Sequence, residues 1–178
     1  EIAQLVGVIV TVPVSEKIGK KATFLSVLTI ISVLSVIVMF LPDTPAGMWT
    51  LMVLQVLICI AIGINSPLLW TMFADVADYS ELKNGNASTG LIFSSSSMAQ
   101  KFGAAFGSAI VLWVLMAFGY DNVKGAVQTP EALSTIKALI SWIPAIGSAA
   151  GILIMSMYPL TEKKMSEIRE KLKVVRGE

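Results

Sequence analysis

The sequence predicts an all-α integral membrane fold, a bundle of four full transmembrane helices preceded by the end of a fifth. Three observations carry this reading. Of the 178 residues, 55% are hydrophobic and only 14% charged, and mean hydropathy is +0.78, whereas a soluble domain carries about 25% charged residues. The charges are also segregated, because residues 22–42, 44–74, 84–100, 102–120 and 138–161 contain none. Roughly 20 apolar residues cross a hydrocarbon core of about 30 Å at about 1.5 Å per residue, and these stretches supply four such spans. The net charge is +1, from 13 Lys+Arg against 12 Asp+Glu. No polybasic stretch lies beside interleaved aromatics, which excludes a nucleic-acid partner. Without histidine and with the single cysteine Cys59, His-based acid–base catalysis, CxxC redox chemistry and the usual zinc sites are excluded, so neither a cofactor nor a structural metal is expected.

The elements follow in order. Residues 1–14 are apolar but too short to span, and a chain opening at Glu1 without a basic n-region predicts the end of a truncated helix, hence a piece of a longer protein. Residues 15–22 form a basic loop with Lys17, Lys20 and Lys21, and 23–41 the first full span. A short turn around Pro42–Gly47 leads to the second span, 48–73, which carries Asn65 and Pro67. Pro67 removes a backbone hydrogen bond and Asn65 needs a polar partner. The segment is either a kinked, cavity-lining helix or an ordinary span with Asn65 bonded to a neighbour. Residues 74–88 read as an acidic loop with Asp75, Asp78 and Glu81, ending in the turn Lys83-Asn84-Gly85-Asn86; the sequon Asn86-Ala87-Ser88 is accidental. The third span is 89–118, capped by Ser88 or Thr89; residues 119–133 form an outer loop, and 134–159 the fourth span, interrupted by Pro144. In the tail, 160–178, Thr161 caps a helix on which Met165, Ile168, Leu172 and Val175 recur at helical spacing, suited either to the membrane interface or to a solvated amphipathic helix.

Orientation follows from Lys and Arg, which favour cytoplasmic loops. Ten fall on the side of the basic loop, the acidic loop and the tail; only Lys124 and Lys137 fall on the other. The C-terminus is therefore expected in the cytoplasm. The remaining cation, Lys101, sits near the middle of the third span. Translocon scales put a central Lys at about +2.5 to +3.5 kcal/mol, against roughly −5 kcal/mol from the eleven Leu, Ile, Phe and Val residues of that span, so the segment inserts with a reduced margin. At 100° per residue Ser94, Ser97, Lys101, Ala105 and Ser108 share about a quarter of the helix circumference. Lys101 thus faces an aqueous path, the favoured reading, or pairs permanently with a carboxylate of another helix. Gly103 and Gly107 are expected to let other backbones approach beside it.

The run Phe73-Ala74-Asp75-Val76-Ala77-Asp78-Tyr79-Ser80-Glu81-Leu82-Lys83, then Gly90-Leu91-Ile92-Phe93-Ser94 and Gln100-Lys101-Phe102-Gly103, resembles the glycoside-pentoside-hexuronide:cation symporters of the major facilitator superfamily, whose familiar member is the melibiose permease. Glu16-Lys17-Ile18-Gly19-Lys20-Lys21 is similar to that superfamily's inner loop, and Tyr158-Pro159-Leu160-Thr161-Glu162 to the family's end. The resemblance implies that the full spans are helices nine to twelve of twelve. It also implies that Lys101 lies near sugar and cation sites completed by carboxylates of a missing N-terminal bundle, and that Asp75 and Asp78 join charge pairs closing an inner gate. Where the melibiose permease has an arginine after the acidic run this chain has Ala87, and it has Ser66 near a sugar-contacting tryptophan of that permease, which argues against melibiose as substrate.

The expected function is therefore cation-coupled symport, with Na+ or H+, of a sugar or glycoside in a bacterial cytoplasmic membrane. Substrate and cation pass Lys101, Ser94, Ser97 and Asn65, while Asp75, Asp78, Glu81, Lys17, Lys20 and Lys21 form the inner gate. A facilitator of a non-sugar solute or a channel is the alternative; an enzyme is not expected, since no Walker loop, nucleophile elbow or zinc motif is present.

Overall fold

A computed structural model describes residues 1–86, 88–123 and 127–176. Ala87 and Lys124 lie outside the described residues. The described chain is six helices: α1 (Ile2–Ile18), α2 (Lys20–Met39), α3 (Pro45–Asn84), α4 (Thr89–Ala117), α5 (Pro130–Ser156) and α6 (Glu162–Arg176). Among the described residues there is no strand, and four helices, α2 to α5, are long and apolar enough to cross a membrane.

α2 is the hub. Thr23, Phe24, Val27, Ile31, Ser35 and Val38 are buried, and from Phe24 onward they follow one another at steps of three or four residues, which forms one stripe along the helix. That stripe packs on α5 and α3. Val27 and Ile31 meet Ile58 and Ala61 of α3, and Phe24 meets Leu68 and Met72. α5 contributes small residues, Ala132, Ser141, Ala145 and Ser148, so the two helices approach closely, and Ser32 Oγ donates to the Ala145 carbonyl at 3.4 Å. α1 lies against α3. A Cβ on Gly7 would strike the Ile60 carbonyl, and one on Gly63 the Gln4 carbonyl, so this crossing is backbone against backbone. Thr11 Oγ1 spans it, donating to Ile64 O at 3.2 Å.

Four expectations change. The acidic segment is not a loop: α3 is a single 40-residue helix running through Pro67 to Asn84. At about 1.5 Å per residue it is about 60 Å long, twice the hydrocarbon thickness. Nothing breaks it before Gly85, whose φ of 70° ends the helix in the left-handed conformation that glycine adopts freely. The tail helix is neither interfacial nor solvated on its apolar side, because Met165, Ile168 and Leu172 pack on Val76, Tyr79 and Leu82 of the α3 extension; Val175 stays exposed. The fifth, N-terminal helix continues to Ile18, and Gly19, at φ 84°, is the whole joint before α2. Finally, Gly103 and Gly107 meet nothing within 4 Å. α4 has no buried residue at all. It touches the rims of α3 and α5, with Phe93 stacked 5.9 Å from Trp70. Its glycines therefore have no facing backbone among the described residues.

Candidate functional site

α4 begins at Thr89, with Ser88 at the N-cap making no side-chain bond. Its serines bond back to their own helix: Ser94 Oγ donates to Leu91 O at 3.1 Å and Ser108 Oγ to Ala105 O at 3.0 Å. Their lone pairs stay free to accept. Half-way along the helix, Ser94, Ser97, Lys101 and Ala105 line an open groove of about 630 Å³ together with Met98 and Phe102. Lys101 is exposed and makes no ion pair among the described residues. The structure thus brings three of the four expected path residues together. Asn65 does not line this groove; it lies on α3 with its Oδ1 buried and unpartnered. Met98 and Phe102 belong to the site although the polar stripe did not include them; they occupy the i+1 positions beside Ser97 and Lys101.

A second cluster sits at the end of the bundle that the charge bias assigns to the cytoplasm. Asp75 is only 3% exposed and uses both carboxylate oxygens. Lys20 Nζ donates to Oδ2 at 2.6 Å and Arg169 NH2 to Oδ1 at 2.7 Å. Arg176 grips Glu81 with two bonds, Nε to Oε1 at 3.1 Å and NH2 to Oε2 at 2.6 Å, and stands 3.8 Å from Asp78. The Arg176 bond holds the Glu81 carboxyl below the usual glutamate range. Glu162 Oε1 accepts from the Lys20 backbone N–H at 3.1 Å, so a side chain of α6 caps the start of α2. Lys21 Nζ donates to Ser156 O at 2.9 Å and Tyr158 O at 2.6 Å, where a cation suits the C-terminal end of α5. Lys17 is exposed and joins none of these contacts.

The gate carboxylates find basic partners within this bundle, because the α3 extension and α6 bring Arg169 and Arg176 onto them. The sequence reading leaves these arginines on the solvated faces of the tail. Their spacing from Met165, Ile168 and Leu172, one residue or one turn off the apolar stripe, is the signal that places them beside α3. Between α5 and α6, Tyr158 has a buried hydroxyl without a partner, and burial, reinforced by Asp75 and Glu162, pushes its pKa up to about 12. At the opposite end Lys137 Nζ binds the Leu41 carbonyl and Asp43 Oδ1, tying α5 to the turn between α2 and α3.

Four apolar spans, one of them carrying an exposed lysine near its middle, with ion-paired helix extensions at one end, define a polytopic helical membrane protein. The chain matches the MFS/sugar transport protein family over residues 2–162, and it belongs to that family. It is 34% identical over 67% of its length to a putative glycoside/cation symporter of Escherichia coli (strain K12), of which the match covers 26%. It is 31% identical over 94% of its length to a glucuronide carrier protein homolog of the same organism, covering 36% of that protein. To the isoprimeverose transporter of Lactiplantibacillus pentosus it is 28% identical over 96% of its length, again covering 36%. The chain therefore spans about a quarter to a third of the length of these relatives. No solved structure matches it.

Proposed function

We propose that the chain forms the C-terminal bundle of a cation-coupled symporter that carries a sugar or glycoside across a bacterial cytoplasmic membrane by alternating access. One observation carries the reading: an unpaired ammonium at membrane depth, on a groove with Ser94 and Ser97, on a helix with no buried residue. An intramembrane cation is functional by default, and a span without a single buried residue needs a facing bundle. In this reading an N-terminal bundle of the same protein covers α4 and supplies the carboxylates that hold Na+ or H+. Lys101 and the serines donate to and accept from substrate hydroxyls, and Asn65, with its unmet amide oxygen, lies further along the path beside Pro67. The two bundles rock about this midplane site. The protein moves its substrate chemically unchanged.

The inner gate keeps its six residues with divided roles. Asp75, Glu81, Lys20 and Lys21 stiffen the inner ends of α3, α2 and α5, whereas Asp78 and Lys17, which are less engaged, face the opposite bundle, with the C-terminus in the cytoplasm. The test is Lys101→Met in the full-length protein. Insertion becomes easier, so the amount in the membrane is kept, while accumulation of sugar against its gradient falls at least tenfold. Accumulation at the wild-type rate would overturn the reading.

A further inference from the structure

We infer that Phe102 is a specificity-determining residue of the transport site, the apolar platform on which the C–H face of a pyranose ring lies. The inference rests on the sugar-symport reading above and deepens it.

The groove is two-sided. At 100° per residue Ser97, Lys101 and Ser94 follow one edge, Met98 and Phe102 the other, and Ala105 runs between them. A pyranose is built the same way, with hydroxyls around its rim and apolar C–H groups on its faces. Ligand sites are mostly apolar with a few placed polar groups, and this open face of α4 has that composition. Phe102 is 51% exposed, so its ring is available to a ligand. One turn on, the Phe106 ring stacks beside it at 6.2 Å and 21°, which widens the apolar edge. Methionine at 98 extends the same apolar edge with an adaptable side chain, while Ala105 keeps the floor low. Phenylalanine has no polar handle, so its contribution depends on the shape of the ring laid against it, and an acyclic polyol gains little from it.

The experiment uses the full-length protein in cells and a panel of radiolabelled methyl glucoside, methyl xyloside, methyl glucuronide and the acyclic polyol mannitol. An aromatic contact of this kind is worth about three- to tenfold in affinity. Phe102→Leu is expected to raise KM for the accumulated pyranoside by that factor with Vmax unchanged, and Phe102→Tyr to restore KM to within about twofold. Lys101→Met is run beside them. An unchanged KM in Phe102→Leu, or a fall in Vmax at constant KM as for a residue that only packs on another helix, overturns the platform while the loss in Lys101→Met leaves the symport reading standing. Preference for mannitol, or no accumulation of any pyranoside by the wild type, overturns both.

Discussion

Asp75 offers the sharpest quantitative test of how α6 is held. Its carboxylate is nearly inaccessible, with Lys20 and Arg169 each within 2.7 Å. Arg169→Gln removes one of the two ionised donors. A hydrogen bond to a charged group is worth about 1.5–3 kcal/mol. The Arg169 side chain is 51% exposed, so solvent screening places the loss at the low end. At about 1.4 kcal/mol per tenfold, α6 should then undock roughly ten times more often. Asp75→Asn weakens both donors at once and leaves Lys20 and Arg169 facing each other, so its effect should be larger still. The double variant should be no worse than Asp75→Asn alone, since the two changes remove one shared interaction. Asp78→Asn is the control, because its contact with Arg176 is 3.8 Å long and an exposed pair contributes about 0–1 kcal/mol. Amide hydrogen exchange of residues 164–175 in the membrane-reconstituted protein reads the result. If Asp75→Asn left that exchange within twofold of wild type while Leu172→Ala accelerated it, the ion pairs would contribute nothing and the apolar stripe alone would hold the helix.

Further outcomes follow from the same geometry. Gly63→Ala forces a methyl into the Gln4 carbonyl and should destabilise the protein by about 1–3 kcal/mol; Gly147→Ala meets open space and should be neutral or slightly stabilising, as thermal unfolding in detergent will reveal. Tyr158→Phe deletes an unpartnered buried hydroxyl, so stability at neutral pH should hold or rise. Because the phenol ionises near 10 when unfolded and at about 12 when folded, the wild type should lose stability as pH rises from about 10 to 12, and the Phe variant should lack that component. For Glu81 the sign is opposite: its folded pKa is lowered by Arg176 from the ordinary 4.5, so its contribution is present above that pH and disappears as pH falls below it. Exchange at residues 173–176 should accelerate only in that acid range, and Glu81→Gln should make it fast at neutral pH too. For orientation, a cysteine at Asp43 in a Cys59→Ser background should react with an impermeant thiol reagent from outside and one at Ser166 only after permeabilisation; the reverse pattern would invert the proposed topology.

Hydropathy and charge segregation fix the number and type of the spans because a 20-residue apolar run has few alternatives, and α2 to α5 lie where composition places them. Helix ends were less legible. Thr129 and Pro130 start α5 four residues before the expected position, with Thr129 Oγ1 accepting from Ala132 N at 3.1 Å, a cap written plainly in the sequence. The extension of α3 was obscured by its charges, which read as loop until Arg169 and Arg176, about 95 residues away in the chain, are known to neutralise them. The glycines illustrate the same limit. Small-xxx-small spacing singles out Gly103 and Gly107, yet the backbone contact in this chain is at Gly7 and Gly63, since spacing reports what a helix permits and not which neighbour arrives. Lys101, Ser94 and Ser97 converge in one groove because they lie on one helix, where periodicity alone fixes geometry. Asn65, on another helix, depended on packing that periodicity does not describe.

The length of α3 makes it a lever. Asn84 lies seventeen residues beyond Pro67, about 25 Å along the axis, so a 10° bend at the proline sweeps the tip through about 4 Å. α6 is fastened to that arm by its apolar stripe and by Asp75 and Glu81, and the turn to α4 hangs from its end. A small angular change within the membrane-spanning part is thereby converted into a displacement at the helix tip the size of a side chain, carried by a stiffened shaft instead of a loop that would absorb it.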